Sequence, residues 1–183
     1  MALTKNLKAA ILAMPREEKD KLLLRLIGKH NDLQEQLEFK LIEGGETLNE
    51  RRQAIIAQID RLYKLSPESS GWLMMDMRSI HSGITHHVKI TKDTYGEVEL
   101  VLYLLNQCFE QQLPFIQNYS SKTDGLAEYI AKRTDAIYKK FGKLHPDIQF
   151  EFLEDINRLL ERVYDYAPSH YARTLGLPKS IRG

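Results

Sequence analysis

An all-α protein is what this sequence predicts, and three observations predict it. Leu, Lys, Glu, Gln, Arg and Ala, which give up little rotamer freedom in a helix, supply most of what lies between the glycines and prolines. Only 10 Gly and 6 Pro interrupt them. Apolar residues recur every three or four positions and nowhere alternate in twos between hairpin dipeptides, so nothing argues for a sheet. About seven or eight helices are expected, as successive antiparallel helical hairpins in either a bundle or a short HEAT-like stack, since both bury the same one-sided stripes.

A first helix is expected from Thr4 to Ala13, where Met14-Pro15 breaks it because proline keeps the preceding residue out of helical geometry. Pro15 suits the first turn of the next helix, with Glu17 and Glu18 near its positive end, and Leu22, Leu23, Leu26 and Ile27 are expected to face inward. Asn31 or Asp32 can cap a third helix that carries Leu33, Leu37 and Leu41 and stops at Gly44-Gly45. Thr47-Leu48-Asn49-Glu50 reads as a capping box, in which hydroxyl and carboxylate satisfy free backbone donors. Leu48, Ile55, Ile59 and Leu62 follow at helical spacing, and Ser66-Pro67 closes the segment.

From Ser70 to Ile90, Leu73, Met77, Ile80, Ile84 and Val88 form one stripe, with Gly71 and Gly83 as places for a kink. Asp93 or Thr94 begins a helix that is apolar on nearly every side from Val98 to Leu105, so it is expected to be the most buried element. Pro114 kinks or ends it, and Asn118 to Lys122 form a turn. Thr123 to Phe141 presents Leu126, Ile130, Ile137 and Phe141 on one line. His145-Pro146-Asp147 opens a last helix to Tyr166, with Ile148, Phe152, Ile156, Leu159 and Val163 inward. Residues 1–166 thus read as one all-α domain. Residues 167–183, with Pro168, Gly176 and Pro178, read as an irregular tail that Tyr171, Leu175 and Leu177 can tie down.

Composition bounds the function. With 43 % hydrophobic and 28 % charged residues the chain is neither disordered nor membrane-like, and its one cysteine, Cys108, excludes an internal disulfide framework. A net charge of +1 exerts no global pull on nucleic acid, membrane or acidic substrate. Ala9 to Met14 is too short to span a bilayer. These features read as a cytoplasmic protein with no membrane partner.

Three constellations offer chemistry. His81, His86 and His87, flanked by Asp76 and Asp93, invite a metal site, but helical ligands converge only at spacings of three or four residues. A break at Gly83 is the one route to a metal-dependent enzyme. Cys108 lies in the most apolar helix, where a thiol is inert. There is no phosphate loop and no Gly-x-Ser-x-Gly, so neither a cofactor nor a catalytic residue is assigned. The second constellation is basic. Lys132 and Lys139 follow Glu128 and Asp135 by four residues and are compensated, which leaves Arg133, Lys140, Lys143, Lys179 and Arg182 as nucleic-acid candidates. The third is aromatic: Tyr164, Tyr166, His170, Tyr171 and Arg173 cluster where the last helix meets the tail, as an interface or as a seal on the core. Trp72 with Met74, Met75 and Met77 reads as packing. The resulting expectation is a non-enzymatic module for protein–protein interaction or regulation, its partner another protein or a second copy. Nucleic-acid association is the alternative, and a metal-dependent enzyme the third.

Overall fold

A computed structural model describes residues 3–181. Its elements are α1 (Lys5–Ala13), α2 (Arg16–Ile27), α3 (Asn31–Leu41), α4 (Leu48–Lys64), α5 (Ser70–Thr91), α6 (Thr94–Gln111), a 3₁₀ turn (Leu113–Phe115), α7 (Asp124–Phe141), α8 (Pro146–Asp165) and α9 (Ser169–Leu175). The described residues contain no strand, and the helices slightly outnumber the seven or eight expected. Arg182 lies outside the described residues.

From α3 onward, every substantial helix contact joins helices one or two places apart in the chain. Such a pattern builds two rows, α3–α5–α7–α9 and α4–α6–α8, laid side by side. It is the packing of stacked hairpins, in which each unit touches only its neighbours, rather than of a closed bundle. No helix among the described residues is long and apolar enough to cross a membrane.

α6 sits between α4, α5, α7 and α8, which explains why it is apolar on nearly every side. Leu100, Leu102, Leu104, Leu105 and Cys108 are all sealed, and burial pushes the Cys108 thiol up to about 12. The hydroxyl of Tyr63 donates to the Leu104 carbonyl at 2.7 Å. The side-chain amide of Gln112 donates to the carbonyls of Tyr63 and Leu65 at 2.9 and 3.1 Å, so it satisfies acceptors that the end of α4 leaves open.

Several local expectations change. α4 begins where the Thr47 signal places it, yet no capping box forms: the Thr47 hydroxyl bonds the Glu43 carboxylate instead of a backbone donor. His30, not Asn31 or Asp32, precedes α3, without a side-chain cap. α5 runs unbroken through Gly83, where a Cβ would meet only open space. Leu23 and Leu26, expected inward, are exposed, and no residue of α1, α2 or α3 is buried.

The expected irregular tail contains a helix. α9 ends with Gly176 in the left-handed region (φ 68°), and the Leu177 amide returns to the Ala172 carbonyl at 3.0 Å in a Schellman closure. Ala172 and Leu177 are buried, whereas Leu175 is exposed. The Asn157 side chain bonds both backbone groups of Ile181, at 2.6 and 3.1 Å, and holds the tail against α8.

Candidate functional site

The α4–α6–α8 row carries a groove of about 510 Å³. Tyr95, Glu99, Tyr103 and Glu110 line it from α6, spaced so that they follow one helix face, while Glu151, Phe152, Asp155 and Arg158 line it from α8. The Tyr95 hydroxyl donates to Glu151 at 3.0 Å and the Tyr103 hydroxyl to Asp60 at 2.5 Å. The bond to Asp60, reinforced by burial, raises the Tyr103 phenol to about 12, so it stays a donor. On the rim, Arg158 pairs with Glu154 and Asp155 at 2.6 and 3.2 Å, and Arg162 pairs with Glu110 at 3.0 Å. Carboxylates still outnumber these cations.

Glu99 is the most exceptional of them. Its side chain is 35 % exposed, but its Oε2 is shut in and accepts no hydrogen bond among the described residues. Burial pushes its carboxyl up. The nearest guanidinium, Arg52, sets Nη1 at ion-pair distance, 3.5 Å, but its other two nitrogens are already committed elsewhere.

That commitment is to Asp93. Arg52 donates twice to its carboxylate, both bonds at 2.6 Å; the Gly96 amide donates at 2.8 Å and His87 Nε2 lies at 3.2 Å. Burial pushes the Asp93 carboxyl up, but the bonds from His87, Arg52 and Gly96 outweigh it and hold the group well below the usual carboxylate range. A Cβ on Gly96 would lie 2.0 Å from Asp93 Oδ2, so only glycine admits this approach. Arg52 also lies over the Tyr95 ring at 4.8 Å, joining the clamp to the groove. The His–Asp–Arg set is closed and saturated, which makes it a clamp on α4, α5 and α6.

The three histidines of the sequence cluster diverge, as their spacing on one unbroken helix requires. His81 faces Arg133 of α7, His86 bonds Glu35 of α3 at 2.8 Å, and His87 belongs to the clamp. The convergence that the metal reading needed at Gly83 does not occur, and no group of three His, Cys, Asp or Glu among the described residues can hold a metal ion. Asp76 stands apart, exposed beside Trp72. Trp72 itself, expected to pack, is 54 % exposed.

The basic candidates do not form one face. Lys140 pairs with Glu97, Lys143 is exposed in the turn after α7, and the Lys179 ammonium lies 5.8 Å over the Tyr164 ring. Arg133 faces His81 of α5. The aromatic cluster serves the chain itself: Tyr164 donates to the Leu177 carbonyl, Tyr166 stacks on Phe109 at 5.8 Å, and Tyr171 donates to Asp124 at 2.5 Å. Its rim, His170 and Arg173, is exposed.

Sequence reasoning missed the groove. Its signal was the stripe Tyr95, Glu99, Tyr103 and Glu110, masked by the apolar residues that cover the other faces of α6. No family model, no curated protein and no solved structure matches this chain.

Proposed function

We propose that the chain is a non-enzymatic protein-interaction module whose groove on α4, α6 and α8 receives a lysine- or arginine-bearing segment of a partner protein. The observation that carries this reading is Glu99, whose buried oxygen has no hydrogen bond among the described residues and only Arg52 Nη1, at 3.5 Å, as an ion-pair partner, in a groove where carboxylates outnumber cations. Leaving such a group unsatisfied costs free energy, and an incoming cation supplies both charge and donors. Tyr95, Tyr103 and Phe152 give the apolar stem of a lysine or arginine a surface to lie on. The reading includes a cytoplasmic setting, which a chain with a single cysteine suits.

Selection of a random peptide library on the immobilised full chain tests it. Basic sequences are expected, with affinity falling about tenfold in Glu99→Gln, which keeps the shape and removes the charge. Selected peptides without basic bias, or affinities indifferent to both Glu99→Gln and Tyr103→Ala, would overturn the proposal.

A further inference from the structure

The α3–α5–α7–α9 row carries a second and chemically opposite feature. A cavity of about 380 Å³ between α5 and α7 is lined by Arg78, His81, Ser82, Tyr129, Lys132 and Arg133, together with Glu128. That volume lies within the range of small-ligand sites. The guanidinium carbons of Arg78 and Arg133 lie 5.5 and 5.6 Å from the centroid of the Tyr129 ring, so two positive charges gather around one aromatic wall. Neither has a carboxylate within 4.0 Å among the described residues. Glu128, the carboxylate of the lining, is spent on Lys132 at 2.7 Å.

The hydrogen-bond inventory is as one-sided as the charge. Arg133 Nη1 lies 3.0 Å from His81 Nε2. A guanidinium can only donate, so Nε2 accepts, the imidazole is neutral and its proton sits on Nδ1. His81 Nδ1 and Arg133 Nε are therefore both donors, and both are buried with no acceptor among the described residues. Buried polar groups are nearly always paired, and an unmet donor is costly. Two unmet donors on lining residues, one of them in a guanidinium that like Arg78 lacks a carboxylate partner among the described residues, share one deficit, which is acceptor oxygen carrying negative charge.

We infer that this cavity is an oxyanion site that takes phosphate, free or as the end group of a monoester, with Arg78 and Arg133 as its charged donors and His81 as a neutral one. Phosphate fits because it offers several acceptor oxygens to converging donors, which arginine forks meet in pairs. The site lies in the other row of helices from the acidic groove and does not depend on the groove's function.

Titration calorimetry of the full chain with inorganic phosphate, against chloride at matched ionic strength, tests the inference. Saturable phosphate binding is expected, weakened about tenfold or more in Arg78→Gln and in Arg133→Gln and unchanged in Lys143→Gln, an exposed cation outside the cavity. Arg78 is exposed, so its variant reads binding even where Arg133→Gln disturbs the fold. A parallel titration with O-phosphoserine distinguishes the source: tighter binding than inorganic phosphate identifies a phosphorylated side chain, and equal binding a free phosphate. No saturable binding over chloride, or binding that survives both arginine variants, overturns the site.

Discussion

Residues 3–54 and residues 55–181 are built from the same helical vocabulary and meet opposite fates. The first stretch contains no buried residue, and in α2 Leu24 is 68 % exposed; the second holds the entire core, with Leu104 and Leu105 of α6 fully sealed. Periodicity alone therefore does not bury a helix. In a two-row stack an inner helix has neighbours on both sides, whereas a terminal helix has them on one. α3 docks mainly on α5 in the body, and much of its attachment is polar: Glu35 to His86, Asp32 to Lys89, and Gln36 to the Lys89 carbonyl at 3.0 Å. Exposed pairs of this kind are individually weak.

The sharpest way to break this contrast is to cut the same side chain in both regions. Leu104→Ala opens a cavity in α6 and is expected to cost about 3–5 kcal/mol by chemical denaturation, while Leu24→Ala in α2 stays within about 0.5 kcal/mol. Equal losses would mean that the N-terminal helices share the core after all.

Next in size is the clamp. Asp93→Asn leaves Arg52 with only the more distant Glu99 as a charge partner and is expected to cost about 3 kcal/mol. It should also change the acid limb of the stability curve. The Asp93 carboxyl is lowered on folding, so its contribution is complete above its ordinary value of 3.8 and is lost as pH falls below that toward the folded value. Urea midpoints measured from pH 6 downward should fall less steeply in the variant, and parallel slopes would remove the clamp from the account.

The smallest effect sharpens the boundary. Glu35→Ala and Asp32→Ala should each lower global stability less than the clamp variant does. Amide exchange should nonetheless quicken across α1–α3 while α6 stays protected. Exchange that quickens equally in both would show that one cooperative unit spans the chain.

Where the sequence was legible, local chemistry had no competitor. The spacing of His81, His86 and His87 ruled out a shared helix face, and in the structure each has a different partner. Asp93 was readable as a cap because its carboxylate needs only the Gly96 amide three residues on. At Thr47 the start was right and the bond wrong, because Glu43, in the turn before, competes for the same hydroxyl. Pro168 and Gly176 read as breakers, but a proline at the start and a glycine just past the end also frame a helix, and α9 lies between them.

Neither polar cavity was legible, because each draws on helices distant in the chain. Glu99 meets its groove through α8, more than fifty residues on, and Arg78 meets Arg133 only because α5 packs on α7. By itself the sequence determined the helices from α1 to α8, most of their boundaries and the stripe each could bury, since these follow from backbone propensity and contacts within a few residues. Which stripes found cover, and which charges were left without partners, only the tertiary structure decided, because burial and charge neutralisation depend on what packs across from a helix.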